Sequence, residues 1–231
     1  MSDPSRLVIL ASGRGSNYQA IQRAIEQGRL AATIAAVICD RASASVLELA
    51  VDHGTDTVCI EPRHFHDRSA YERALRCAIE GFDPNWIVMA GFMRVLGADF
   101  VRHFHGLMVN IHPSLLPRFR GLHTHRRALE AGESEHGASI HFVTPALDAG
   151  PVISQVCLTI AEHDTVDTLA ERLLPLEHRL YVATLALLLN HHVELRDEEI
   201  YIDDQEIDAP LELGRHLDDD GRLVRRDCSG G

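Results

Sequence analysis

Leu7-Val8-Ile9-Leu10-Ala11 runs straight into Ser12-Gly13-Arg14-Gly15-Ser16-Asn17 and then into a helix-period stretch reaching about residue 27. A short, continuous apolar run bounded by glycines reads as a strand buried on both faces. The glycines supply the tight turn that feeds the following helix. Working outward, residues 34–39 form a second apolar run, 43–51 a helix, 57–60 a third strand and 69–79 an amphipathic helix. Runs at 86–90 and 107–111 add two strands around a helix near 97–103. Strand–helix alternation of this kind predicts an α/β fold: an open, mostly parallel twisted sheet with helices on both faces, Rossmann-like in plan.

The pattern changes after Pro117. A short helix is expected over 124–131, strands over 139–143 and 152–158, and a long helix over 166–190. Pro175 falls inside that helix, and its missing N–H and ring clash predict a kink or break there. Residues 193–195 and 199–202 read as a C-terminal hairpin. Beyond it, residues 206–231 read as an acidic, loose tail ending in Ser-Gly-Gly.

Composition narrows the function classes. Hydrophobic residues make up 45% and charged residues 24% of the 231, ordinary for a globular chain with a sizeable core. All 22 basic residues are arginine, which excludes Schiff-base lysines, a pyridoxal-phosphate anchor and a P-loop lysine. The net charge is −12, and residues 194–220 hold twelve acids against Arg196 and Arg215. An acidic chain is a poor nucleic-acid binder, while a near-neutral body can still hold one phosphate locally. The cysteines at 39, 59, 77, 157 and 228 form no CxxC pair, and those at 39, 59 and 157 read as buried strand residues. There is no basic region before the first strand, and the longest apolar stretch, 180–189, is about half a membrane span. A reduced, cytoplasmic protein without a membrane segment is expected.

Two motifs carry chemistry. Backbone N–H groups of the Gly13–Asn17 turn, with the helix N-terminus behind them, suit an anion; a plain strand-to-helix turn with an Asn cap explains the same residues. Tyr18 stands where a dinucleotide fingerprint wants a third glycine, although Asp40 is placed like a ribose-binding acid. The second motif is Asn110-Ile111-His112-Pro113-Ser114-Leu115-Leu116-Pro117. Strand alternation puts Asn110 and His112 on one side at the carboxyl end of a strand, where ligands bind in open α/β sheets. An amide beside an imidazole offers an oxyanion donor next to a general acid/base. Seven of fifteen histidines lie between 103 and 141, but their spacings fit no common zinc pattern and read as surface or loop residues. Asp148 reads either as a turn acid or as a partner of His112.

These strings, together with Ala90-Gly-Phe-Met-Arg94, Gly121-Leu-His-Thr-His125, His136-Gly-Ala-Ser-Ile-His-Phe-Val143 and Asp148-Ala-Gly-Pro151, resemble the phosphoribosylglycinamide formyltransferase family from the first strand to about residue 205. The resemblance implies a single formyltransferase domain over 1–205, with a phosphate-binding half to about 105 and a folate and catalytic half from about 106. It implies a catalytic trio of Asn110, His112 and Asp148. It assigns the substrate phosphate to Gly15, Ser16 and Asn17, and the substrate amine to Glu177. For the folate it implies Arg68, the segment Met93, Arg94, Val95 and Leu96, and the loop from Val143 to Asp148, with Val143 and Leu147 as its contacts. The implied co-substrate is 10-formyltetrahydrofolate, with glycinamide ribonucleotide as the acceptor and no metal. A monomer or homodimer with no nucleic-acid or membrane partner is expected.

Other functions are weighed against it. A formyltetrahydrofolate deformylase shares the Asn-x-His and Asp elements but carries an N-terminal regulatory domain, whereas this chain enters its first strand by residue 7. Methionyl-tRNA formyltransferase brings a basic C-terminal domain, and here the C-terminal segment is acidic. A non-catalytic nucleotide-binding module explains the glycine turn and nothing about His112, and a dehydrogenase is the remaining enzyme.

Overall fold

A computed structural model describes residues 4–224. The predicted alternation is present: β1 (Ser5–Ala11), α1 (Ser16–Glu26), β2 (Ala32–Cys39), α2 (Ser45–Asp52), β3 (Thr57–Cys59), α3 (Arg68–Glu80), β4 (Trp86–Met89), α4 (Ala98–His103) and β5 (Met108–His112). Then follow α5 (Thr124–Glu130), β6 (Glu135–Phe142), β7 (Val152–Thr159), α6 (Val166–Asn190), β8 (Val193–Arg196), β9 (Glu199–Ile202), β10 (Gln205–Glu206) and β11 (Leu211–Glu212). The main sheet runs β11-β7-β6-β5-β4-β1-β2-β3. Strands β3, β2, β1, β4 and β5 are parallel, and β6 and β7 return antiparallel. A small sheet of β8, β9 and β10 contains the expected hairpin.

Side-chain alternation divides the core in two. Leu7, Ile9 and Ala11 of β1 pack under α1, α2 and α6, while Val8 and Leu10 face α3 and α4 with Tyr71, Leu75 and Phe100. A strand apolar on every residue is therefore buried on both faces, as a central parallel strand must be. Tyr181 pins α6 to the sheet, its buried hydroxyl donating to the Met89 carbonyl at 2.9 Å.

Three expectations change. First, α6 runs unbroken through Pro175. Pro175 and Glu171, whose carbonyl loses its donor, are both exposed, so solvent meets that carbonyl while Leu169, Leu173 and Leu180 hold the helix on the core. Second, β6 begins at Glu135, ahead of the expected start at 139. Gly137 carries no strand signal, yet a Cβ there would lie 2.0 Å from the Val156 carbonyl oxygen, so only glycine lets β6 and β7 approach. Third, residues 206–224 are not a loose tail. β11 adds in parallel to β7, Leu217 is fully buried, and a Cβ on Gly221 would lie 2.5 Å from that of Ala186 in α6. Residues 225–231, with Cys228, lie outside the described residues. Of the strand cysteines, Cys39 is buried, but Cys59 and Cys157 are exposed.

The tail's contribution is measurable. Leu217→Ala, in urea unfolding of the full chain, is expected to cost about 2–5 kcal/mol, the range for truncating a buried leucine. A cost near zero shows that the segment does not belong to the core.

Candidate active site

The glycine turn closes β1 onto α1. Gly15 is the helix N-cap in left-handed conformation, with φ 80°, and a Cβ there would lie 2.8 Å from Val46 Cγ2. Glycine, not the expected asparagine, therefore caps α1. The first backbone N–H groups of a helix have no partner within it and point outward as an anion site. The Asn17 side-chain oxygen beside them is buried without a hydrogen bond. Ser12 couples this turn to the next part of the site, because its Oγ accepts from the Met93 N–H at 2.8 Å.

Asp40 ends β2 fully buried, and Arg94 Nε donates to its Oδ2 at 2.6 Å. Oδ2 is thus engaged inside the protein, Oδ1 is buried without a hydrogen bond, and the acid is not exposed as a ribose-binding group would be. The pair anchors the segment Met93–Leu96. Arg68, at the start of α3, donates from Nε to Glu72 at 2.7 Å and from Nη2 to the Val95 carbonyl at 2.8 Å. Arg68, Met93, Arg94 and Val95 line one cleft, and Arg94, Val95, Leu96, Val143 and Leu147 line the next together with Asn110 and Asp148. Met93, Val95 and Leu147 are exposed although apolar.

Asn110 and His112 point to the α3/α4 face of β5, at its carboxyl end. His112 is buried, its Nε2 donating to the Phe119 carbonyl at 3.0 Å and its Nδ1 lying 3.4 Å from Asp148 Oδ2. Both ring nitrogens thus face acceptors. Asp148, in left-handed backbone with φ 47°, also accepts from the Gly121 N–H at 2.9 Å. The trio proposed from sequence comes together in space. Glu177 does not join it: its carboxyl makes no hydrogen bond or ion pair among the described residues, and burial pushes its pKa up to about 7. It lies on α6, which packs against α1.

Sequence reasoning missed His141, and read as surface or loop residues two histidines that are buried, His136 and His141. His141 Nδ1 donates to the Phe142 carbonyl at 2.9 Å, so its Nε2 accepts from the Asn110 amide at 3.1 Å. That bond sets which way the Asn110 amide faces. Burial pushes the His141 pKa down to about 4, with smaller opposing contributions from Phe142 and Asp148. His136, bonded to His125 at 2.9 Å, is also pushed down to about 4 by burial. The signal was present in the His136–Val143 string, but choosing His141 needed the β5–β6 register. Among the described residues no group of His, Cys, Asp or Glu could hold a metal ion. No helix there is long and apolar enough to cross a membrane.

The family profile described as formyl transferase matches residues 5–185, and the chain belongs to that family. It is 40% identical over 201 residues to the phosphoribosylglycinamide formyltransferase of Escherichia coli K12, covering 87% of this chain and 95% of that one. It superposes on the phosphoribosylglycinamide formyltransferase of Coxiella burnetii with a TM-score of 0.85 at 45% identity, covering 88% and 96% of the two chains. For the glycinamide ribonucleotide transformylase 1 of Symbiobacterium toebii the TM-score is 0.83 at 36% identity, covering 87% and 95%.

His141 also sets an acid sensitivity. Its folded pKa lies below the ordinary 6.5, so between pH 6.5 and about 4 the unfolded chain holds a proton there that the native state does not. Stability therefore falls as pH drops through that window, by up to about 1.4 kcal/mol per pH unit for one such site. His141→Gln, compared with wild type by urea unfolding at pH 7 and pH 5, is expected to show the shallower loss. Equal slopes place His141 outside that linkage.

Proposed function

We propose that this chain transfers the formyl group of 10-formyltetrahydrofolate to the amine of glycinamide ribonucleotide, a step of purine biosynthesis, in the cytoplasm. One observation carries the reading: Asn110, His112 and Asp148 converge beside a cleft walled by the 94–96 and 143–147 segments, in a chain of this family. The folate supplies the activated formyl carbon. Exposed apolar Met93, Val95 and Leu147 suit its flat ring system, and Arg68 suits its carboxylate. The ribonucleotide phosphate is assigned to the backbone of Gly15, Ser16 and Asn17, and its amine to Glu177.

Nitrogen attack on a formyl carbon moves charge onto the formyl oxygen. The Asn110 amide, oriented by His141, and the His112 imidazolium are the donors offered to that oxygen. His112 then passes a proton toward the departing folate nitrogen. Asp148 holds the imidazole in place. None of these roles needs a covalent bond to the enzyme.

Purified chain with 10-formyltetrahydrofolate, with and without glycinamide ribonucleotide, separates the alternatives. Donor loss that requires the amine supports the transferase, and donor loss in water alone replaces it with a deformylase. Asp148→Asn is expected to lower kcat by about 10²–10⁴ with smaller effects on either KM. Combining it with His112→Ala should cost little beyond the single changes, because the two act as one unit. Near-normal turnover of Asp148→Asn removes it from the trio. Gly15→Ala is expected to raise KM for the ribonucleotide well above its effect on the folate, since the new methyl crowds both Val46 and the phosphate approach. An equal rise for both substrates points away from a phosphate site there.

A further inference from the structure

Tyr71 of α3 is 5% exposed, and its ring meets Phe65 edge-on with centroids 5.8 Å apart. Its hydroxyl is buried and makes no hydrogen bond among the described residues. A phenol so placed gives up water and gains no partner, whereas phenylalanine would fill the same space without that cost. Burial pushes the Tyr71 pKa up, and among the charges Asp40 pushes it further while Arg94 opposes. The hydroxyl therefore stands beside the Asp40–Arg94 pair. Packing agrees with this placement. Ile38, two residues before Asp40 and on the same side of the chain, shares a core cluster with Tyr71. Tyr71 and Arg94 line one cleft with Arg68, Met93 and Val95.

The pair itself is incompletely bonded. Arg94 Nε donates to Asp40 Oδ2 at 2.6 Å, while Oδ1 is buried without a hydrogen bond. The Asp40 side chain is 0% exposed and that of Arg94 44%. Among the described residues Nε makes the only hydrogen bond of that guanidinium. A buried donor and a buried acceptor thus lie in one neighbourhood, both unmatched. Removing the cation from a buried carboxylate is strongly destabilising, so Arg94 cannot turn from Asp40 to a ligand unless another donor takes its place. A hydroxyl bonded to a carboxylate is among the strong hydrogen bonds. We propose that Tyr71 is a positioning residue for the folate segment: its hydroxyl is the standby donor to Asp40, taking over the carboxylate when Arg94 turns to the folate. The proton stays on Tyr71, and only hydrogen bonds are exchanged. This rests on the folate reading above, which already gives Arg94 to that ligand.

Steady-state kinetics and urea unfolding of full-length Tyr71→Phe test it. The variant is expected to raise KM for 10-formyltetrahydrofolate about tenfold, the loss of one charge-assisted hydrogen bond, with kcat and the ribonucleotide KM unchanged. It is expected to unfold at the same or a higher urea concentration, because a buried unmatched hydroxyl has been removed. Asp40→Asn deletes the charge that needs a donor, so adding Tyr71→Phe to it should change the folate KM by less than about twofold. An unchanged folate KM in Tyr71→Phe overturns the proposal. Earlier unfolding with an equal rise in both KM values gives Tyr71 a packing role only and likewise overturns it. So does a full tenfold effect in the Asp40→Asn background, which shows Tyr71 acting without Asp40. Absence of turnover in the wild-type chain strikes instead at the folate reading, and is distinguishable from a missing effect of Tyr71→Phe.

Discussion

The register between β5 and β6 is the constraint on which the site depends, because it sets Asn110 opposite His141 and His112 opposite Ser139. Paired residues on antiparallel strands share a face, so all four side chains stand on the α3/α4 side while Ile111 and Ile140 enter the other core. A slip of one residue would exchange those sets, burying the polar four among leucines and exposing isoleucine. The pairing needs Gly137, since β6 must also lie against β7 where no Cβ fits. From Ser139, bonds reach the Leu116 N–H and the Ser114 carbonyl at 3.0 and 2.7 Å. The loop after His112 is thereby fastened to the strand beside it.

Charge around the site is handled by burial and pairing together. Asp40 is fully buried and tolerable only because Arg94 meets it, so this pair orders the 93–96 segment more than it stabilises the fold. His141 takes the other course and gives up its proton, becoming the acceptor that Asn110 needs. Among the described residues Glu177 has no partner, and burial pushes its pKa up to about 7. A half-buried carboxyl with a raised pKa fits a group that awaits a ligand.

The acidic C-terminal segment has a structural part in the same economy of charge. Its leucines and Gly221 cover α6, β11 extends the sheet beyond β7, and its acids remain mostly at the surface. A local excess of arginine lines the cleft between α3 and α4. The opposite signs therefore lie on different parts of the surface.

Much of this was legible in the residues themselves. Continuous apolar runs such as 7–11 and 86–89 identify central parallel strands, because only burial on both faces tolerates them. The Asn-x-His spacing on β5 and the glycine turn before α1 likewise follow from local periodicity and backbone freedom. The positions of Asp148 and His141 relative to Asn110 and His112 do not, since they depend on which strands pair and in what register. Nor does the segment 206–224 declare itself: six acids are interspersed among its apolar residues, and only α6 and β7 supply the surface that Leu217 and β11 cover. Pro175 shows the same limit from the other side. Local propensity predicts a break, and burial of the leucines on either side overrides it. Sequence by itself determined the elements, whose physics is short-range. Tertiary structure alone decided the site's contacts, because they join residues that meet only when the sheet is assembled.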